Sequence, residues 1–452
     1  MAELRNLASF IAALQWEDVP EEVRKTVAMQ ILDTVGNAIG AQDDSQLSWM
    51  RNLYTTIVGG QETAHVWGQN YKAPVAIAAF LNGMAGHTLE LDDVHTNSKT
   101  HIGTVVTPTA WAMAEYLNTS GEDFLLAVIC GYETMSRIGM AFGVTSHRLR
   151  GWHVTSTAGT FGAAAVCAKL LGLEEDNIVY ALGLAGTQSF GVWAFLEDGA
   201  SNKVLHPARA AQIGMESALL AQVGMTGAEH ILEAADGGLL HAMSDESDIS
   251  FVDKELGTRY ESLFMDNKPY PCCRSTHCCI DAALFLRDKY GIDPDEVVKI
   301  EVDTYDVGYL QCGVSEGSIR PVKPIDAKFS TPYTVACALI YGEVTLQNFL
   351  PEVIGDSQVQ ALLAKVQVFS DDEFSEQYPD HWGCEVRVEM NDGSSYSKTI
   401  PDASGSVDNP LTEEQIRTKA LGNLQAVYSL EDARRIVKEI LAIADAETMP
   451  VI

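Results

Sequence analysis

The chain has 452 residues, 46% of them apolar and 20% charged, and 62 acidic against 30 basic side chains leave a net charge of −32. That balance excludes a basic nucleic-acid-binding surface as the default reading, and the apolar share excludes global disorder and supplies cores for two or three domains. Nine cysteines, an odd number, follow no basic-then-apolar leader, so the expectation is a cytoplasmic protein with reduced thiols rather than a disulfide framework.

From Leu4 to about Met265 the pattern predicts successive helices joined by short Gly/Pro/Asp punctuation. Pro20 opens a segment to Ala41 in which Val23, Val27, Ile31, Leu32 and Val35 recur at helical spacing, and Pro74 opens the next helix. Thr63 to Gly68 reads as a small strand or extended connection. Thr104–Leu117, Phe124–Phe142 and Val154–Leu171, rich in Ala, Gly, Thr and Met, predict close-packed helices. Asn177–Leu196 is uncharged and long enough to span a bilayer, but its Asn177, Thr187, Gln188, Ser189 and three glycines mark it as protein interior, so no membrane segment is expected.

After Lys268 the texture changes. A helix is expected over Ser275–Tyr290 and strands over Val297–Tyr305 and Lys365–Phe369; Asn391-Asp392-Gly393 joins Cys384–Met390 to Ser394–Ile400 as a hairpin. The acidic stretch 371–380 reads as a solvated loop. Thr412 and Gln415 stand at capping-box spacing, and Ser429 precedes a last amphipathic helix. The fold class is therefore mainly α with an α+β part. Residues 1–265 and 405–452 form a helical domain, and 266–404 an inserted α+β domain.

There is no GxxxxGK[ST], strand-anchored GxGxxG or HExxH, and Gly186-Thr-Gln-Ser189-Phe-Gly191 has the wrong spacing for a nucleophile elbow, which removes sequence support for nucleotide cofactors and serine hydrolysis. Four constellations stand out. The first, His87 through Glu90, Asp92, Asp93 and His95 to His101, is a polar helix boundary or a proton-transfer site; a metal site would use Asp92, Asp93, His95 and His101. The second is His153, just before a small-residue helix whose dipole favours a neutral, basic imidazole, or simply a buried histidine. The third is Lys203, His206 and Arg209, an anion-attracting group or a solvated loop.

The fourth runs Lys268-Pro-Tyr-Pro-Cys272-Cys273-Arg274 to His277-Cys278-Cys279. Its cysteines lack zinc spacing and read as packing residues, leaving Lys268, Arg274 and His277 as informative cations. Together these suit a small anionic carboxylate substrate. A base removes a proton α to a carboxylate while cations stabilise the charge that develops. A metal-dependent enzyme and a non-catalytic anion-binding protein remain alternatives from other classes.

These residues make the chain resemble the MmgE/PrpD family: Ile31-Leu-Asp33-Thr-Val-Gly, Glu90-Leu-Asp-Asp93 to His101, Trp152-His153, Lys203-Val-Leu-His206, Lys268-Pro-Tyr-Pro to His277, and Ala327-Lys-Phe-Ser-Thr-Pro-Tyr333. The resemblance implies a large helical domain made from both chain ends, a smaller inserted α+β domain with a cleft between them, a homodimer, and no metal or organic cofactor. It implies a lyase, foremost a 2-methylcitrate-like dehydratase, with a dicarboxylate epimerase or a cis-aconitate-type decarboxylase as alternatives. The resemblance implies that His101, His153, Lys203, His277 and Tyr333 line the pocket. Taken with the four constellations, the expected catalytic residues are His101, His153, Lys203, Asp93 and Tyr333, with Glu90 and Asp93 orienting imidazoles, and the expected substrate contacts are Glu90, His95, Lys268, Arg274, His277 and His206. The chain departs from the decarboxylase pattern at Glu90, Val94 and Ile102 and by one extra residue between Asp93 and His101, which argues against cis-aconitate as the substrate.

Overall fold

The computed structural model describes residues 3–452. The chain divides into two compact units: unit 1 is built from residues up to Trp193, Val204–Asn267 and Thr412–Ile452, and unit 2 from Ala194–Lys203 and Lys268–Leu411. The division thus differs from the sequence expectation at 194–203, a short excursion inside the helical half that belongs with unit 2, and at the insertion's ends, which lie at Lys268 and Leu411 rather than 266 and 404. Lys323 Nζ there donates to the Asp198 carbonyl at 2.6 Å, and the Phe195 and Phe329 rings meet edge-on at 6.4 Å.

Unit 1 is helical. In chain order its long helices are α1 (Glu3–Ala13), α2 (Glu21–Gly40), α3 (Ser45–Ile57), α4 (Val75–Thr88), α5 (Gly103–Leu117), α6 (Gly121–Ala141), α7 (Gly159–Leu170), α8 (Glu175–Gly186) and α9 (Leu205–Gln222). Pro20 and Pro74 stand at the N-caps of α2 and α4, where their missing N–H costs nothing. Val23, Val27, Ile31, Leu32 and Val35 of α2 are fully buried, each contributing roughly 1.5–3 kcal/mol of apolar burial. The small residues set how closely helices approach. A Cβ on Gly214 of α9 would lie 2.4 Å from Ala163 Cβ and 2.5 Å from the Thr160 carbonyl of α7, so only glycine permits this crossing. Helix α6 is long and apolar enough to cross a membrane, yet the apolar window that meets this test is buried entirely inside the protein.

Two expectations need correction here. The helix expected over Val154–Leu171 is two pieces, Val154–Thr157 and α7, with Thr155 and Thr157 turned to partners outside the helix, the His101 N–H and the His147 ring. The uncharged run Asn177–Leu196 is interior only in its first half. After Gly186 it leaves the helix, Thr187 and Gln188 are exposed, and Val192 is 48% exposed.

Two short strands, β1 (Val94–His95) and β2 (Met265–Asp266), pair antiparallel in unit 1 and tie the loop before α5 to the end of the helical stretch. Unit 2 packs α10 (His277–Tyr290) and α11 (Thr331–Tyr341) with a four-stranded sheet of β3 (Val297–Thr304), β4 (Val366–Ser370), β5 (Cys384–Met390) and β6 (Ser395–Ile400). The sheet order is β4-β3-β5-β6, with β3 and β4 parallel and the other pairs antiparallel. Gly393, at φ +83°, turns the β5–β6 hairpin where Asn391-Asp392-Gly393 foretells it. The acidic loop at 371–380 contains a short helix, Asp372–Gln377, because the Asp371 carboxylate caps the Glu373 and Phe374 N–H groups. The chain then returns to unit 1 with α12 (Glu413–Leu424), whose capping box forms as expected, and α13 (Leu430–Leu441).

Candidate active site

Helix α4 carries His87 in its last turn, and the loop to α5 folds its carboxylates back over that end. His87 Nδ1 and His101 Nδ1 lie 2.7 and 3.0 Å from the same oxygen, Asp92 Oδ2. One buried carboxylate therefore orients two imidazoles, whose ring centroids are 4.7 Å apart. His87 Nε2 faces Glu90 Oε1 at 3.8 Å. Glu90 has φ +57°, a left-handed conformation that costs a non-glycine residue about 1 kcal/mol or more and is held here by the surrounding fold.

A second imidazole pair adjoins the first within unit 1. The His153 ring lies 6.5 Å from His87 and 4.8 Å from Trp193, and its Nδ1 is 2.7 Å from His206 Nδ1. The His153 N–H donates to the Gly191 carbonyl at 3.0 Å, and the His101 N–H donates to Thr155 Oγ1 at 3.1 Å. The break after Thr157 thus leaves Thr155 beside His101. His101 is 12% exposed, whereas His87 and Asp92 are fully buried.

Asp93, expected to orient an imidazole, does something else. Its carboxylate accepts the Gly103 N–H at 3.0 Å and the Tyr132 hydroxyl at 3.0 Å, fixing the start of α5. A Cβ on Gly103 would come within 2.2 Å of Thr34 Oγ1 and 2.8 Å of Asp93 Oδ1, so glycine is required. Burial, then the charges of Asp92 and Asp33, push the Asp93 carboxyl up to about 8. Lys419 of α12 lies 2.7 Å from Asp33 Oδ1 and donates to the Leu91 carbonyl at 2.7 Å, so the chain's C-terminal part pins this loop. The orienting carboxylate is Asp92.

His95 also lies within the protein fabric. Its Nδ1 is 2.8 Å from Ser98 Oγ and its Nε2 3.3 Å from Glu261 Oε2. Burial raises the Glu261 carboxyl, but His95 and Arg259 outweigh that and bring it down to about 2.

Unit 2 carries the remaining expected residues. Lys203 and Lys268 are both buried, and Lys203 Nζ sits 5.2 Å from the centre of the Phe329 ring. Arg274 Nη2 reaches the Ala403 carbonyl at 3.5 Å, and His277 Nε2 is 3.3 Å from the Cys272 carbonyl. Tyr333 is fully buried in the apolar core, and its hydroxyl donates to the Asn348 carbonyl, so the side chain serves the fold of unit 2. All nine cysteines are buried free thiols, and burial pushes Cys272 up to about 12, far from a reactive thiolate.

Of the expected site residues, unit 1 brings together His101, His153 and His206; His87 and Asp92, which stand in the first constellation but carry no expected catalytic or substrate-binding role, organise them. The available clue was the spacing: a histidine in the last turn of a helix and an aspartate five residues on can meet once the chain folds back. His87, Asp92 and His101 also present one donor atom each within 4.8 Å of one another, a set able to hold a divalent metal, and His381, Asp402 and Asp408 do the same in unit 2. The metal set imagined from sequence shares only Asp92 and His101 with the first of these.

The MmgE/PrpD N-terminal domain matches residues 5–252 and the MmgE/PrpD C-terminal domain residues 270–444. The chain is 29% identical to a cis-aconitate decarboxylase-like protein, oryM, of Aspergillus oryzae, over 97% of this chain and 93% of that protein. It is 26% identical to the cis-aconitate decarboxylase of Mus musculus, over 99% and 92%. It is 25% identical to the 2-methylcitrate dehydratase of Salmonella typhimurium, over 64% and 61%. With family domains matching most of its length, and with the mainly helical plus α+β architecture expected of it, the chain belongs to the MmgE/PrpD family.

Proposed function

We propose that the protein is a cofactor-independent lyase acting on a small di- or tricarboxylate by proton transfer α to a carboxylate, with dehydration of a 2-methylcitrate-like hydroxy acid as its leading reaction. The observation that carries this reading is the presence in unit 1 of two separate imidazole systems, His101 with His87 on Asp92, and His153 on His206. Dehydration needs two proton carriers: one takes the α-proton and the other protonates the departing hydroxyl. In this reading His153 is the base and His101 the acid. Glu90, beside His87, contacts the substrate. The enzyme works as a homodimer in the cytoplasm.

Decarboxylation is the second reading, favoured by relatives bearing that name that match nearly the whole chain. It needs no leaving hydroxyl; one imidazolium protonates the carbanion left by CO₂.

The test is proton NMR in D₂O of chelator-treated protein with 2-methylcitrate, citrate, cis-aconitate, malate and amino-dicarboxylates. Loss of water from a hydroxy acid is the expected result, and loss of CO₂ from cis-aconitate would replace it with the second reading. Exchange at one carbon without net conversion would point to an epimerase. Turnover that vanishes on chelation and returns with one divalent metal would overturn the cofactor-independent reading and assign the ion to His87, Asp92 and His101.

A further inference from the structure

The contact between His153 and His206 joins two nitrogens of the same kind. Their Nδ1 atoms are 2.7 Å apart, the rings are 2% and 6% exposed, and the centroids are 5.0 Å apart at 47°. Two bare lone pairs repel at this distance, and so do two N–H groups. One proton must lie between them. That requirement couples the two tautomers. When His153 carries the shared proton, its Nε2 is a lone pair; when His206 carries it, His153 Nε2 is an N–H.

Packing holds the rings in this relation. The His153 backbone is tied to Gly191, at φ +98°, where a Cβ would meet Ser156 Oγ at 2.1 Å and His206 Cγ at 3.4 Å. Trp193 stands edge-on to His153 at 4.8 Å, and Phe190 edge-on to His206 at 6.1 Å. His206 lies in the first turn of α9, followed by Pro207. The positive end of that helix disfavours a resident imidazolium, so the resting pair is neutral and any charge on it is transient.

We propose that His206 is a positioning residue for His153 and the group that transiently carries the abstracted proton's charge. The proposal rests on the reading of His153 as base. As His153 Nε2 takes a proton from the substrate carbon, the C–H electron pair stays on the substrate. The Nδ1 proton of His153 then passes to His206 Nδ1. His153 is left neutral with its proton on Nε2, and His206 becomes the imidazolium. Returning the shared proton restores the resting pair once Nε2 has released its own. This gives His206 a part in proton transfer in place of the substrate contact expected from sequence.

The experiment uses the full-length protein labelled with ¹⁵N-histidine and read by NMR without substrate. One downfield, slowly exchanging proton coupled to two Nδ1 nitrogens is expected, and it should be lost in both His153→Asn and His206→Asn. Steady-state kinetics follow with the polycarboxylate that the panel turns over. In His206→Asn the amide oxygen stands where Nδ1 stood, accepting the hydrogen bond but not the proton. It should lower kcat by about 10²-fold while KM stays within about threefold. Full kcat in His206→Asn would overturn the relay, because tautomer holding alone would then suffice. A raised KM at unchanged kcat would overturn it in favour of a substrate contact. Absence of the shared resonance while His153→Ala is inactive would sink the relay alone; unchanged turnover in His153→Ala would sink the base assignment and the relay with it.

Discussion

Asp92 and Asp93 are adjacent, equally buried and chemically identical, yet the fold gives them different work. Asp92 faces two imidazoles, and Asp93 faces a helix N-terminus and a tyrosine hydroxyl. Asp92→Asn should leave circular dichroism unchanged and lower kcat by about 10²-fold or more, since an amide neither orients nor electrostatically supports His101 as a carboxylate does. Asp93 makes a different prediction. Its folded-state value of about 8 lies above the ordinary 3.8, so between these the folded protein holds a proton that the unfolded chain has lost. That stabilisation is complete below the ordinary value and is lost as pH rises towards the folded one. Asp93→Asn, neutral throughout, should flatten the fall of the urea midpoint between about pH 5 and pH 8; an unchanged slope would show that another group carries it. Which member of the Asp-Asp pair faces the imidazoles was not legible in sequence. Both sit in an irregular loop, and the choice is made by Gly103, Thr34 and Tyr132 from three other places in the chain.

At the scale of elements, periodicity and capping residues located most helices, because a buried face and an N-cap are local patterns. The hairpin at Asn391-Asp392-Gly393 was legible for the same reason: positive φ is a demand on one residue. The split at Ala158 was not. Thr155 finds its partner in His101, 54 residues away, and Thr157 in His147, ten residues back across a separate short helix, so the break before α7 depends on contacts that helical periodicity does not record. Close packing of α7 and α9 carries its own test. Gly214→Val would drive a branched side chain into Ala163 and Thr160, and should cost about 1–3 kcal/mol in a urea melt; a melt superimposable on the parent would mean the crossing is looser than described.

At the scale of the molecule, the two units differ in what holds them together. Unit 1 is helix on helix with buried ion pairs such as Glu133–Arg137, whose guanidinium also donates to the Lys254 and Arg259 carbonyls. Unit 2 wraps helices and a sheet around an apolar core that includes five buried cysteines. Since all nine thiols are free and buried, a thiol reagent should label almost none in the native protein and all of them after denaturation, and a reductant should not shift the melting temperature. Rapid labelling of native protein would show that the sulfur-rich core opens locally.

The sequence by itself determined the family and the mainly helical class with its α+β part, because motif order, hydrophobic period and cap chemistry are all written along the chain. Only the tertiary structure decided the pairings: Asp92 rather than Asp93 beneath the imidazoles, His206 against His153, His95 with Glu261, and Tyr333 in the core of unit 2. The physical reason is that a hydrogen bond between buried groups is set by the approach of segments distant in sequence. Residue 33 meets 419 and 153 meets 206 only after the helices have packed, and no local pattern records which side chain will be facing which.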